Sequence, residues 1–163
     1  LQRGAFAALA GSIPDQVGVV MSGILKVVRD HQDGRESIVQ FLGVGDFWGD
    51  LPALAEGRES QLSTLVVESA EVLVVQKADL DAFIERHGPK ASAYVGRLLM
   101  RELARLDRRL AAMTLLTPSE RHQEFLDTYP QIAERLLQRD IAAYVGITPV
   151  SLSRLRRRRR EMS

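Results

Sequence analysis

The chain has 163 residues and 18.1 kDa, with 45% hydrophobic and 26% charged residues and a formal net charge of +1. This composition excludes a wholly disordered or collagen-like chain. No stretch approaches the roughly 18 apolar residues of a membrane span, no signal-peptide pattern opens the chain, and the lack of cysteine excludes disulfides and thiolate metal sites. We therefore expect a cytoplasmic protein, with some N-terminal sequence missing before Leu1.

The first 77 residues predict β-structure, because short apolar and β-branched runs alternate with glycine-containing turns. The runs are Val17–Met21, Leu25–Val28, Ser37–Phe41, Leu62–Val67 and Val72–Val75. The turns are Ser22-Gly23, Asp33-Gly34, Gly43–Asp46 and Glu56-Gly57. No long helical periods alternate with the runs, so an antiparallel sandwich or barrel is favoured over a parallel Rossmann-like sheet.

The pattern becomes helical near Lys77. Asp79 can cap a short helix, which His87-Gly88-Pro89 ends. A long helix is predicted over Lys90–Met113, with apolar residues at heptad-like spacing. These residues are Val95, Leu99, Leu103, Leu106, Leu110 and Met113. Such a seam can pack on its own sheet or pair with a second copy, and we favour the pairing.

The segment Thr117–Glu120 predicts the start of another helix, with a capping threonine, a proline at the first position and an acid in the first turn. We divide the chain into a β-rich sensor domain over residues 1–89, a dimerisation helix over 90–113 and a C-terminal domain over 114–163.

Residues 138–155 have the pattern of a helix-turn-helix. Ile141 and Val145 share one face of the first helix, and Gly146 ends it. Ile147 is expected to be buried in the turn, and Thr148 caps a second helix. Residues 138–163 also hold seven arginines against two acids, so this segment carries +5 while the rest of the chain carries −4.

A basic helix-turn-helix predicts that its second helix enters the major groove of double-stranded DNA. The predicted DNA-binding residues are Thr148, Val150, Ser151, Ser153, Arg154 and Arg157. Arg154 can bond to a guanine edge or contact a phosphate. The run from Arg156 to Arg160 favours phosphate contacts or a solvated terminus.

Three segments resemble the cAMP receptor protein and fumarate-nitrate reductase regulator (Crp/Fnr) family: Val20–Val27, Phe41–Leu51 and Gln138–Arg156. The resemblance covers nearly the whole chain. It implies an α+β protein with an N-terminal antiparallel double-stranded β-roll, a long dimerisation helix and a C-terminal helix-turn-helix. It also implies a homodimeric transcription regulator on a pseudo-palindromic operator, with RNA polymerase as a further possible partner.

The resemblance implies an effector pocket, but its residues depart from those of cyclic-nucleotide binders. Their Gly-Glu-Leu-Ala-type turn is here Gly49, Asp50 and Leu51 followed by proline. Ser60, followed by Gln61, stands where the resemblance places an arginine that binds phosphate. Loss of that contact costs on the order of 2–5 kcal/mol, so we expect no tight binding of cAMP.

Other chemistries receive little support from the sequence. The histidines His31, His87 and His122 are widely spaced, so we expect no haem, metal or other cofactor. Asp46, Trp48 and Asp50 are the clustered candidates for catalysis, and turn and core roles explain them better. We therefore expect no enzyme.

Two alternatives to a regulator with an unknown effector, or with none, stay open at this point. One is a regulator that does respond to cyclic nucleotides. The other is a small-molecule sensor that acts through a protein partner, with an incidental basic end. The family's operator sequence does not carry over, because Pro149 and Val150 stand where the family often has arginine and glutamate.

Overall fold

The computed structural model describes residues 1–30 and 36–161. Its sheet has five strands: β1 (Phe6–Ala8), β2 (Gln16–Asp30), β3 (Glu36–Leu42), β4 (Phe47–Trp48) and β5 (Ser63–Gln76). Every strand pair is antiparallel, in the order β1-β5-β2-β3, with β4 pairing with β2. The predicted antiparallel β-roll is confirmed.

The prediction of a turn at Ser22-Gly23 is wrong. β2 and β5 each run through two predicted strands as one long strand, and the pairing register shifts near this point. Gly23 has a φ of +83°, and a Cβ there would lie closer than 3.0 Å to the Ser69 carbonyl oxygen. The glycine therefore permits a bulge inside a strand. The predicted turn at Asp33-Gly34 lies outside the described residues.

Six helices and one 3₁₀ turn complete the described part of the chain, and none of these helices is long and apolar enough to cross a membrane. The helices are α1 (Leu51–Glu56), α2 (Lys77–His87), α3 (Pro89–Leu115), α4 (Pro118–Thr128), α5 (Gln138–Val145) and α6 (Pro149–Glu161), and the 3₁₀ turn is Ala133–Arg135. Short α1 was not predicted from the sequence. α3 is the predicted long helix, extended slightly at both ends.

The helix ends follow most of the predicted signals. Gly88 separates α2 from α3 with a φ of +53°. Thr117 and Glu120 form a capping box at the start of α4. The predicted cap at Asp79 is wrong, because α2 begins earlier and Gln76 occupies the cap position without a side-chain bond. Asp79 instead lies in the first turn, where a carboxylate favours the helix dipole.

Two hydrophobic clusters lie on opposite sides of β2, because successive side chains of a strand point to opposite faces. Leu25 and Val27 belong to the cluster inside the β-roll, which also holds Trp48. Ile24 and Val28 belong to a second cluster, which the β-roll shares with α4, α5 and α6. The C-terminal helices therefore pack directly on the sheet.

Gly18 of β2 is the position where a side chain would disturb the β-roll most directly. A Cβ there would lie closer than 3.0 Å to the Leu73 carbonyl oxygen and to the Trp48 indole nitrogen. We expect Gly18→Ala to lower the free energy of unfolding by about 1–3 kcal/mol through overpacking. Urea unfolding followed by the fluorescence of Trp48, the single tryptophan, measures this.

Gly96→Ala is the matched control, because Gly96 lies inside α3 with no atom within 4 Å of its Cβ position. There the substitution should stabilise the helix by up to about 1 kcal/mol. Equal unfolding free energies for the two variants would contradict the close packing at Gly18.

Candidate functional site

The helix-turn-helix is formed by α5, Gly146 and α6. Gly146 is in the left-handed region, with a φ of +74°, and ends α5 as predicted. Thr148 caps α6, since its Oγ1 accepts the Ser151 N–H at 3.1 Å. Leu152 of α6 is fully buried against α5. The expectation for Ile147 is wrong in degree, because this turn residue is only half-buried.

The predicted DNA-binding residues lie along the outer side of α6 and the turn before it. Five of them are exposed: Thr148, Val150, Ser153, Arg154 and Arg157. Ser151 is half-buried, with its hydroxyl 3.0 Å from the Thr148 hydroxyl. The side chains of Arg159 and Arg160 lie outside the described residues. The outer side of α6 is thus mostly exposed to solvent.

Two arginines from neighbouring helices hold the end of α5, and the sequence reasoning missed both roles. Arg121 of α4 donates from Nε to the Val145 carbonyl at 2.7 Å and from Nη1 to the Leu116 carbonyl at 2.8 Å. Arg109 of α3 donates to the Tyr144 carbonyl, and its guanidinium stacks 3.8 Å from the centre of that ring. Such bonds satisfy the last carbonyls of a helix.

Burial lowers the pKa of Arg109 below its usual value, although nearby phenols and a carboxylate oppose the shift. An arginine stays charged through any physiological pH even so. Arg109 therefore places a permanent positive charge against the ring and the carbonyl of Tyr144. In the sequence, Arg109 is one of several charged residues beside the α3 seam. The fold is what shows that it contacts α5.

Four aromatic rings join the sheet to the C-terminal helices. Phe41 of β3 contacts Phe125 of α4, Tyr129 just after α4 and Tyr144 of α5, with ring centres 5.5–6.1 Å apart across the group. The Phe41 N–H also lies 3.4 Å from the Tyr129 hydroxyl oxygen. Burial raises the pKa of both tyrosines, so their phenols stay neutral at physiological pH.

A mostly buried ion pair lies beside the aromatic rings. Lys26 of β2 contacts Asp140 of α5 at 3.3 Å, with side-chain exposures of 13% and 9%. Glu36 contacts the same ammonium at 3.7 Å. A second pair, Arg135 with Glu68, spans the same two parts of the chain in solvent, and this hydrogen bond lowers the pKa of Glu68.

The structure brings the five predicted pocket residues together. Gly49, Asp50, Leu51, Ser60 and Gln61 all line one cavity of about 760 Å³ in the β-roll. Part of its wall comes from elsewhere in the chain, including Val27, Gln40, Trp48, Glu102 and Leu106. The last two belong to α3, so the long helix forms one side of the cavity.

Asp50 and Ser60 face each other at the position where the resemblance implies a phosphate. The Ser60 hydroxyl donates to Asp50 Oδ2 at 2.8 Å, and Ser60 is 6% exposed. Asp50 Oδ1 accepts the Ala53 N–H at 3.1 Å and so caps α1. Arg58 also lines the cavity, but its guanidinium pairs with Glu56, and this bond raises the pKa of Arg58.

The sheet separates this cavity from the C-terminal helices. Val27 and Gln40 are paired on β2 and β3, and both line the cavity. The adjacent pair, Lys26 and Phe41, contacts Asp140 and the aromatic rings on the opposite face. The cavity and the helix-turn-helix thus lie on the two faces of the same strands.

Apart from Leu106 and Met113, the α3 seam is separate from the face that α3 turns to its own chain. Ala91, Glu102, Arg105, Arg109 and Ala112 form that inner face, with Arg105 bonded to Asp46. In the seam, Val95 is half-buried, and the remaining residues are 42–64% exposed: Leu99, Leu103, Leu106, Leu110 and Met113. Only Leu106 among the seam residues lines the cavity. The terminal methyl group of Met113 lies next to Gly146.

The clustered acids have structural roles, as expected. Asp46 Oδ2 accepts the Gly43 N–H at 2.8 Å in the predicted turn, and its Oδ1 pairs with Arg105. Trp48 is a core residue. His87 ends α2 and His122 is buried in α4. His31 lies outside the described residues.

Comparison with known proteins identifies the family. Residues 1–87 match the family described as "Cyclic nucleotide-binding domain". The chain belongs to this family. Its predicted resemblance to Crp/Fnr regulators is also confirmed, since the relatives found by sequence and by structure include proteins named as such regulators.

Two curated relatives illustrate the match. The CRP-like cAMP-activated global transcriptional regulator of Mycobacterium tuberculosis is 27% identical over 136 residues, which are 83% of this chain and 55% of that protein. The cyclic AMP receptor protein of Thermus thermophilus is 32% identical over 97 residues, 60% of this chain and 44% of that protein. This chain spans about half the length of the curated relatives it matches.

A solved structure shows the same fold. FixK2 from Bradyrhizobium japonicum superposes with a TM-score of 0.82 at 19% identity, over 99% of this chain and 82% of that one. The predicted α+β architecture, a β-roll followed by helices, is thereby confirmed. The relatives' names describe regulators of transcription, in agreement with the prediction that the chain is not an enzyme.

The Lys26–Asp140 pair gives a test of how firmly the C-terminal helices are held. Lys26→Met removes the closest cation from the nearly buried Asp140 carboxylate. We expect the free energy of unfolding to fall by about 3 kcal/mol. Arg135→Gln breaks the exposed pair instead and should cause no measurable change. Urea unfolding of the two variants measures both. Equal stability of the two would show that the buried pair does not hold the helices.

Proposed function

We propose that this protein is a homodimeric, sequence-specific DNA-binding transcription regulator of the cytoplasm, with a β-roll that senses a small molecule. The division into residues 1–89, 90–113 and 114–163 belongs to the same proposal. The observation that carries it is α6, a capped and exposed helix with arginines along it, held on a second helix by buried apolar residues. Such a helix fits a major groove and its phosphates.

DNA reading is assigned to the outer side of α6. Val150 at the start of the helix can meet a thymine methyl group, and Arg154 can bond a guanine edge. Ser151 and Ser153 offer short hydroxyl donors to bases or phosphates, and Thr148 serves chiefly as the cap. Arg157 and the arginines after it supply phosphate contacts.

The exposed α3 seam supports pairing with a second copy. Five large apolar residues at heptad-like spacing face solvent on a face that the chain's own sheet does not use, Leu106 apart. Burying such a seam against its symmetric copy forms a two-helix interface. Two helix-turn-helix units in one dimer require a pseudo-palindromic operator, and RNA polymerase is a further proposed partner.

The effector is proposed to be something other than tightly bound cAMP. The Asp50 carboxylate and the Ser60 hydroxyl occupy the place of a phosphate and bond to each other. A cyclic nucleotide would have to break this bond and accept Asp50 as a like charge. Response to a cyclic nucleotide stays the second candidate, because a relative's name describes activation by cAMP.

Selection from a random duplex library with the unliganded protein at moderate salt tests the main proposal. An enriched palindrome is the expected result. Retention without sequence preference would instead support a sensor that acts through a protein partner. A second selection in the presence of cAMP tests whether a cyclic nucleotide changes either outcome.

Arg154→Ala tests the assignment of the reading helix. We expect a loss of about 1–3 kcal/mol at one operator position, with relaxed selectivity there, because a bidentate contact to guanine is lost. Arg158→Ala is the matched control, one helical turn further from the start of α6, and should weaken binding to all sequences alike. Titration against operators substituted at single positions measures both. Uniform weakening by Arg154→Ala would reduce this residue to a phosphate contact.

Leu103→Glu tests the seam. A charge at this position should break the dimer, since two carboxylates would be buried close to each other. Ala104→Glu adds the same charge at an exposed position away from the seam and should leave the dimer intact. Sedimentation of the two variants measures whether each one remains a dimer. An intact Leu103→Glu dimer would place the interface elsewhere.

A further inference from the structure

We propose that the β-roll cavity selects an uncharged or cationic organic molecule with an apolar body and an N–H or O–H donor, and disfavours anions. This inference rests on the proposed effector role of the cavity and names the class of its ligand. It depends on three features of the wall: the pair at Asp50, the balance of charges and two acceptors without partners.

The first feature is the pair formed by Asp50 and Ser60. The serine hydroxyl donates its hydrogen to the carboxylate, so it is not available to an anion. The carboxylate is tied at its other oxygen to the start of α1, which fixes its position at the wall. An anion placed there would meet a fixed negative charge rather than a donor.

The second feature is the balance of charge around the cavity. Asp15, Asp50 and Glu102 line it, against Arg29 and Arg58. The Arg58 guanidinium is bonded to Glu56 and to the Glu59 carbonyl. Glu102 is likewise paired with Arg105. With both pairs set aside, two carboxylates, Asp15 and Asp50, remain on the described part of the wall against one guanidinium, Arg29. A neutral or positive ligand fits this balance better than a negative one.

The third feature is a pair of buried oxygens on two different walls. Gln40 Oε1 of β3 and Glu102 Oε1 of α3 have no hydrogen-bond partner within the described part of the chain. The nearest charges to the Glu102 carboxylate, Arg101 and Arg105, lie at 3.9 and 3.7 Å, beyond hydrogen-bond length. Both oxygens are shielded from solvent in the unliganded chain. Buried acceptors without donors are costly, so a ligand donor that draws these side chains toward the cavity removes this cost.

Among the described residues, two buried donors near these acceptors also have no hydrogen-bond partner and bond to neither of them: Arg105 Nη1, which lies 3.7 Å from the Glu102 carboxylate, and the Trp48 indole nitrogen. The Trp48 indole nitrogen is buried without a partner but lies against Gly18 of β2, on the strand side of the ring. The remaining wall offers apolar surface from Val27, Val39 and Leu106. A volume of about 760 Å³ suits a ligand of ordinary small-molecule size.

An isosteric pair of probes tests this inference on the full chain. 3-Phenylpropionamide and 3-phenylpropionate share one body, and they differ by an N–H₂ donor in place of a negative oxygen. Titration followed by Trp48 fluorescence reports on the cavity wall itself. We expect the amide to bind at least about tenfold more tightly than the carboxylate.

Substitutions at two glutamines of the cavity wall test where the amide binds. Gln40→Leu should weaken amide binding by about fivefold and leave carboxylate binding unchanged, because it removes one unpartnered acceptor. Gln16→Leu is the control, since Gln16 also lines the cavity but its Oε1 already accepts from Gln76 at 3.3 Å. It should leave both affinities unchanged. Equal effects of the two variants would overturn the role of Gln40.

The remaining outcomes separate this inference from the proposed function. Tighter binding of the carboxylate or of cAMP would overturn the ligand class and leave DNA reading untouched. Failure of both probes to bind at millimolar concentration would also overturn the proposed ligand class. Failure to enrich any duplex would instead overturn the regulator, while the Trp48 titration would still measure the preference of the cavity.

Discussion

The alternation of side chains along β2 and β3 is the constraint on which the rest of the structure depends. One strand pair presents Val27 and Gln40 to the cavity, and the next presents Lys26 and Phe41 to the C-terminal helices. A strand cannot shift by one residue without exchanging these faces. The cavity and the helix-turn-helix are therefore fixed to opposite faces of one layer of the structure.

Cations and aromatic rings hold the helix-turn-helix against that layer. Phe41 is fully buried among the rings of α4 and α5, and Arg109 covers Tyr144 from α3. The same arginine and Arg121 satisfy the last carbonyls of α5, next to the turn at Gly146. The position of α6 thus depends on residues from β3, α3 and α4, while most of its outer side stays exposed.

Local signals predicted those parts of the fold that local interactions decide. The end of α5 at Gly146, the cap at Thr148 and the start of α4 at Thr117 were all predictable, because each rests on bonds within one turn of chain. Short α1 was not predictable, because its cap, Asp50, belongs to a motif that resembles a pocket turn. Ser22-Gly23 appeared to be a turn because glycine favours bulges as well as turns.

Periodicity, helix caps and charge were enough to predict the class of the protein: a β-rich half, one long helix with an apolar seam, and a basic helix-turn-helix. The sequence also identified five residues of the cavity wall, through a resemblance carried by a short motif. Three contacts became visible in the folded chain alone: Ser60 bonds to Asp50, Gln40 and Glu102 line one cavity, and Lys26 pairs with Asp140. These contacts join residues far apart in the chain, or positions across a loop, and no local pattern encodes which strand face meets which helix.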